Sequence, residues 1–415
     1  MADARRMVIV GAGQAGGRAA EALRDLGWAG QVLLIGAEPL APYHRPPLSK
    51  SVLSGERTVA DGALFAPSFF TEKEIELRLA TTVAEIRRRE REILLGDGTR
   101  LGYHSLLLAT GAEPKRLGLP GAEAARVCYL RTAGDALALS AGLGPARHVL
   151  VVGGGFIGAE AAASAVARGS RVTLVEPADR LMARGVPRLI AERMAARHRA
   201  AGVDLRLATG IASLSAEGGI TRVELSDGTH LAVDLVLAGI GVAPRTALAA
   251  AAGLRIDNGI ATDRRLRTED PNIYAAGDAC AFPHDLFGIR LRLESWKNAE
   301  HQGRLAAHNM LGHREACLAV PWFWSDQYEL TIQVTGLPDL RAESIERHLG
   351  EDALLIFHLA RDGRIVGASG IGPSDAIGRD IRLAQMMIER RLHPDPGALA
   401  DPSVRLRAML TTKAA

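Results

Sequence analysis

Two stretches of this 415-residue chain share one build. The first is MVIVGAGQAGG, starting at Met7, and the second is HVLVVGGGFIGAE, starting at His148. Each runs a short apolar strand into Gly-x-Gly-x-x-Gly and then into small residues at helical spacing. The glycines are Gly11, Gly13 and Gly16 in one, and Gly153, Gly155 and Gly158 in the other. In such a turn the first glycine makes the tight bend, the second lets a phosphate approach the backbone, and the third lets helix and strand pack closely. A second apolar strand follows each time, QVLLIGAE and RVTLVE, so residues 6–38 and 148–176 read as two βαβ units. On the first helix, Ala15, Ala19, Ala22, Leu23 and Leu26 form the expected apolar side.

The repeat extends further. After each βαβ unit comes an alternating stretch with Asp-Gly at a hairpin position, Asp97-Gly98 and then Asp227-Gly228. Each stretch returns to an apolar strand ending in glycine, SLLLATG and DLVLAGIG. Between the first βαβ unit and its meander, Pro42, Pro46 and Pro47 predict an extended, rigid path. From about Trp322 the texture becomes that of an antiparallel sheet, with Asp362-Gly363 between two strands. A helix follows whose apolar side is Ile377, Ile381, Leu383, Ala384, Met387 and Ile388. The fold class expected is α/β: two Rossmann-like dinucleotide-binding domains with β-meander insertions, plus a C-terminal α+β domain. The boundaries are 1–112 with 243–321 for the first, 113–242 for the second and 322–415 for the third.

Composition narrows the possibilities. A net charge of +3 gives no global case for nucleic acid or a membrane surface. Cys128, Cys280 and Cys317 are far apart and form no Cys-x-x-Cys, which argues against a dithiol pair or a thiolate metal site; each reads as a small buried hydrophobe. No apolar run reaches the ~18 residues of a membrane span. The first strand begins at about Met7, too early for a leader, so the expected location is the cytoplasm. Of 50 basic residues only Lys50, Lys73, Lys115, Lys297 and Lys413 are lysines, so a lysine inside a motif carries weight.

Two dinucleotide turns in one chain suggest a relay between a fixed flavin and a nicotinamide that comes and goes. Glu176 ends the second βαβ unit near the ~20-residue offset where a carboxylate bonds ribose hydroxyls and repels a 2′-phosphate, which favours NADH over NADPH. Arg180 and Arg184, just downstream, pull the other way. In the first unit Ala37 stands at the nearest offset and Glu38 just after it, and Glu38 is the candidate ribose ligand.

The motifs VGAGQAG, PYHRPPLSK, LLLATGAEPKRL, VVGGGFIGAEAA, GIGVAPRTALA and NIYAAGDAC occur in this order. The chain resembles the pyridine nucleotide–disulfide reductase superfamily, and RPPLSK, YLRTAGDA and PWFWSDQ make it similar to the FAD-dependent ferredoxin reductases of bacterial cytochrome P450 and dioxygenase systems. The resemblance implies tightly bound, non-covalent FAD on Gly11, Gly13, Ala15 and Gly16, with Ala37, Glu38, Arg45, Lys50, Val83, Ala109, Thr110, Gly111, Arg131, Asp278 and Trp296 around it. It implies NADH, as electron donor, on Gly153, Gly155, Phe156, Ile157, Gly158, Glu160, Glu176 and Gly241. Lys50 and Glu160 match an ion pair beside the flavin and are the candidate catalytic residues. The plain alternatives are a solvated loop lysine and an exposed helix residue. No metal is implied.

Disulfide-reducing relatives need a redox cysteine, and APYHRPPLSK has none, so the electrons must leave to an outside acceptor. NADH gives two electrons together and a [2Fe–2S] ferredoxin takes one at a time, which is the reason for a flavin between them. An acidic ferredoxin calls for a basic patch, for which Arg290, Arg292, Lys297 and Arg304 are the candidates. The resemblance implies an aromatic residue of PWFWSDQ between flavin and partner, for which Trp324 is the candidate. The function expected is that of an NADH-dependent ferredoxin reductase, a monomer or homodimer. The alternatives are a rubredoxin reductase, an NADH oxidase, or an NADH-sensing flavoprotein like apoptosis-inducing factor.

Overall fold

The computed structural model describes residues 5–410. They form two compact units, one of residues 5–45, 59–113 and 242–319, the other of residues 46–58, 114–241 and 320–410.

The first unit is built on a five-stranded sheet in the order Ile273–Ala275, Ser105–Leu108, Arg6–Val10, Gln31–Ile35, Ile75–Arg78, with every neighbouring pair parallel. Its inner strands are apolar because helices cover a parallel sheet and bury both faces, while the edge strand Ile75–Arg78 carries Glu76 and Arg78; Met7, Val8, Ile9 and Leu106 have no exposed surface. The helix Gln14–Asp25 buries Ala15, Ala19, Ala22 and Leu23, but Leu26 lies past its last turn, at the C-cap, and is exposed. A second helix, Trp296–Met310, packs on the first so closely that a Cβ on Gly303 would stand 2.2 Å from the Ala15 carbonyl oxygen. The expected meander is present as Val83–Arg87, Glu92–Leu95 and Arg100–Gly102. The sequence reading missed that Ile75–Arg78, just before it, is a strand of the main sheet.

The second unit holds a four-stranded parallel sheet in the order Asp204–Leu207, Arg171–Glu176, His148–Val152, Leu235–Ala238. It also has a meander, Ile211–Glu217, Ile220–Leu225 and His230–Val233. A five-stranded antiparallel sheet runs in the order Trp322–Gln327, Leu330–Gly336, Ile365–Gly372, Ala353–Leu359, Glu343–Leu349. Ser374–Glu389 packs on it through Ile377, Ile381, Ala384, Met387 and Ile388, with Leu383 only partly buried. Val149, Leu174 and Leu237 of the parallel sheet share one core with Ile332, Leu354 and Ile371 of the antiparallel one. Residues 46–58, grouped by sequence with the first dinucleotide domain, lie in this unit, where Leu53 joins the same core. They do not run extended as the prolines suggested. Pro46–Ser49 is a turn of 3₁₀-helix and Ser51–Ser54 a short α-helix, since the φ that proline fixes also suits the first turn of a helix.

All three Asp-Gly hairpins form in the same way. Gly98, Gly228 and Gly363 have φ of +87°, +80° and +80°, and the preceding aspartate accepts the N–H of Thr99, Thr229 or Arg364. No helix is long and apolar enough to cross a membrane among the described residues.

Candidate functional site

The first glycine turn leaves the end of Arg6–Val10. Gly11 has φ +115°, and a Cβ there would stand 2.1 Å from the Ala109 carbonyl oxygen; one on Gly16 would stand 1.9 Å from that of Gly11. Gly13, between them, faces nothing within 4 Å. It is the N-cap of Gln14–Asp25 and offers no capping side chain, so the helix N–H groups are left for a ligand. Gln14 begins that helix nine-tenths buried, and neither its Nε2 nor its Oε1 has a hydrogen-bond partner. An open cradle, an uncapped helix and an orphaned buried amide fit the pyrophosphate of a dinucleotide.

Several expected residues surround this turn in the first unit. Gly277 (φ +75°) would place a Cβ 3.2 Å from that of Ala15, and its N–H donates to Gln302 Oε1 at 2.8 Å, which sets Asp278 near the start of the first helix. Thr110 donates to the Arg245 carbonyl, and the Arg245 N–H donates to that of Gly111. Val83 begins the meander opposite Leu95, and Ala37 is exposed at the strand end. Glu38 is clamped: Arg45 donates to Oε1 at 2.5 Å and the Tyr43 hydroxyl to Oε2 at 2.6 Å. Burial pulls the Arg45 guanidinium down, but Tyr43, Glu38 and Asp278 more than offset that. Trp296 opens its helix and donates its indole N–H to His44 Nδ1 at 2.9 Å.

The second turn repeats the first at atomic detail. A Cβ on Gly153 would stand 2.6 Å from the Gly239 oxygen and one on Gly158 2.0 Å from that of Gly153, while Gly155 meets nothing closer than 3.9 Å. Gly155 is likewise an N-cap without a side-chain cap, here for Phe156–Ala167. The acid is held differently. Glu176 accepts the N–H of Gly154 at 2.6 Å and of Ala178 at 2.8 Å. Arg180 turns to the carbonyls of Ala183 and Val186. Ile157 is exposed; Phe156 meets Phe323 edge-on at 5.0 Å. Gly241 (φ +98°) accepts from Lys115 N–H.

The same unit brings Lys50 and Glu160 together. Glu160 sits one turn into Phe156–Ala167 and is 5 % exposed; Lys50 precedes Ser51–Ser54 and its Nζ is 3.4 Å from Glu160 Oε1. Neither is a solvated surface residue. Ser164, one turn on, donates to the Ser49 carbonyl at 2.7 Å and fixes the loop to the helix. Glu160 accepts from Ser49 at 2.5 Å and Ser325 at 2.6 Å. Burial holds its carboxyl above the usual range, and Lys50 with the two hydroxyls offsets only part of that. Lys50 also meets Asp326 at 3.3 Å and lies 5.1 Å over the Trp324 ring, whose indole N–H donates to Asp326 at 2.8 Å. Asp326, Ser49 and Ser325 were not named from the sequence. Arg131 also lies in this unit, its N–H bonded to Asp135.

Two of the four docking arginines and lysines are engaged inside the first unit. Arg290 donates to the carbonyls of Thr262 and Ala281, and Arg292, with its side chain only 11 % exposed, holds Glu294 at 2.6 Å and the Asp278 carbonyl. Their donors fasten strands, and Arg290 stays exposed while it does so. Lys297 and Arg304 are exposed, each paired with an acid, Glu300 and Glu21. Cys280 and Cys317 are buried and free, and burial pushes both thiols up to about 12.

Residues 5–303 match the family model for pyridine nucleotide-disulphide oxidoreductases, and residues 322–410 match the model for the reductase C-terminal domain. The chain belongs to the pyridine nucleotide-disulphide oxidoreductase family. It is an oxidoreductase with the additional C-terminal reductase domain. It is 40 % identical over 406 residues to the ferredoxin–NAD(+) reductase component of the anthranilate 1,2-dioxygenase system of Burkholderia cepacia, covering 97 % of this chain and 98 % of that protein. It is 37 % identical over 413 residues to putidaredoxin reductase of Pseudomonas putida, covering 97 % and 96 %. The crystal structure of the covalent putidaredoxin reductase–putidaredoxin complex superposes with a TM-score of 0.93 at 35 % identity over 98 % of both chains.

Proposed function

We propose that this oxidoreductase is an NADH-dependent ferredoxin reductase. It takes hydride from NADH onto FAD and passes electrons singly to a [2Fe–2S] ferredoxin that serves a cytochrome P450 or a ring-hydroxylating dioxygenase. The observation that carries the reading is the pair of uncapped glycine turns together with a largely buried lysine–carboxylate pair and a segment 41–50 that contains no cysteine. Full-length similarity to ferredoxin reductase components supports the same choice.

FAD, when bound, supplies a centre that accepts two electrons together and releases them one at a time. The first turn would hold its pyrophosphate on the N–H groups behind Gly13, and Glu38, already clamped, would meet its ribose. The turn at Gly155 would hold NADH, with Glu176, fixed by two backbone N–H groups, as the acid that would meet the ribose and reject a 2′-phosphate. Lys50 would supply a positive charge to stabilise the negative charge that hydride transfer builds. Glu160, which holds that ammonium, would orient the nicotinamide. Lys297, Arg304 and Trp324 are the partner-facing residues in this reading.

Rapid mixing with NADH followed by ferredoxin-dependent reduction of cytochrome c tests the proposal. The expected result is fast bleaching and turnover that requires ferredoxin. A slow, oxygen-stable charge-transfer species without turnover would instead mark an NADH sensor. Lys50→Ala should keep the flavin yet slow its reduction by roughly 10²-fold, and an unchanged rate would remove Lys50 from the mechanism.

A further inference from the structure

Beyond Glu160 the buried polar network continues in one direction. Ser325, Gln327 and His198 are all 1 % exposed or less. A carboxylate only accepts, so Ser325 Oγ, 2.6 Å from Glu160 Oε1, spends its single proton there. Its lone pair then faces Gln327 Nε2 at 3.0 Å, which fixes the amide with its oxygen toward His198 Nε2 at 2.8 Å. That nitrogen must carry the proton. His198 Nδ1 is left as the acceptor for the Tyr328 hydroxyl at 3.0 Å. Burial keeps the imidazole neutral and pushes the phenol up to about 12, so both stay in the donor states the chain requires.

We propose that His198, on the helix Arg188–Ala200, is a positioning residue for Glu160, acting through Gln327 and Ser325 along a chain of hydrogen bonds that all point at the carboxylate. The proposal rests on reading Lys50 and Glu160 as the hydride-transfer pair. Aligned donors in a dry interior support a negative charge at the end of the chain and fix the rotamer of each member. A glutamine amide does not pass protons on readily, so the chain orients and does not conduct. The charged groups around it are Lys50 and Asp326 at the Glu160 end, and Arg197 with its partner Glu329 at the His198 end.

Two measurements on the full-length protein test it. The first is ¹⁵N NMR of the His198 ring, assigned by the loss of its signals in His198→Gln. A neutral ring protonated on Nε2 is expected, and a ring protonated on Nδ1 overturns the proposal. The second is the pH profile of single-turnover flavin reduction by NADH in Gln327→Met, which keeps the volume and removes both hydrogen bonds. Its acidic limb should move up by about one pH unit, a tenfold change in proton concentration, with a smaller move in the same direction for His198→Gln. Folded variants with an unmoved profile overturn the positioning role. Glu160→Gln separates the two failures: if it slows reduction while Gln327→Met leaves the profile in place, the positioning role falls alone. If Glu160→Gln reduces at the native rate, the hydride-pair reading falls with it.

Discussion

The two glycine turns share a backbone and differ in their acid. Gly11 and Gly16 are locked by carbonyl oxygens, as are Gly153 and Gly158, and in each turn the middle glycine faces open space. Glu38, however, is bonded by the guanidinium of Arg45 and the hydroxyl of Tyr43, while Glu176 is bonded by two backbone N–H groups. In the proposed reading the first acid, paired with a guanidinium, suits a ligand that stays. The second, bonded by backbone N–H groups, suits choosing among ligands that exchange.

The sharpest way to break this comparison is to fill the open side of each turn. Gly13 (φ −95°) and Gly155 (φ −72°) both lie where alanine is unstrained, so Gly13→Ala and Gly155→Ala should fold normally. We expect Gly13→Ala to weaken FAD binding by roughly 100-fold, measured by flavin fluorescence on titrating the apoprotein. Gly155→Ala should leave FAD in place and raise the Kd for NAD⁺ by about tenfold. If the two substitutions affected the same ligand, the turns would not have separate roles. A smaller effect tests the acids. Glu176→Ala combined with Ala178→Arg should move the NADH/NADPH preference in kcat/KM by about tenfold toward NADPH, whereas Glu38→Ala should lower flavin occupancy and leave that preference alone.

The smallest effect concerns the unit that carries the second turn. His358 hydrogen-bonds Ser369 in the core of the antiparallel sheet, and burial lowers its imidazole to about 3. Because the folded value lies below the unfolded one, its contribution is present above pH ~6.5 and is lost as pH falls toward 3. Between pH 7 and pH 5.5 this amounts to about 1 kcal/mol of stability. Thermal unfolding at the two pH values, with and without His358→Gln, measures it; equal pH dependence in both proteins would exclude His358 as the source.

Much of this was legible because it rests on local rules. Glycine at fixed offsets, Asp-Gly between alternating runs and apolar strands each act over a few residues, and each appeared where the spacing put it. The Lys50–Glu160 pair was legible only through resemblance, since 110 positions separate its members. Polar residues satisfied by tertiary contacts were not readable. Arg347, 3 % exposed, donates to the carbonyls of Leu399, Asp401, Pro402 and Val404 and ties down the C-terminal segment, yet in sequence it is one more arginine of a solvated strand. The carbonyl contacts of Arg290 and Arg292 were hidden in the sequence for the same reason. One signal was available: Ser325 and Gln327 are two apart on a strand and so share a face. Two consecutive polar residues on an inward face mark a buried network.

The central claim is that one turn keeps a flavin for NADH at the other to reduce. Anaerobic titration of the purified protein with NADH and then NADPH, following flavin absorbance, tests it most directly. The account predicts a yellow protein bleached by one equivalent of NADH per chain and far more slowly by NADPH. A protein that holds no flavin, or one reduced equally well by both nucleotides, would contradict it.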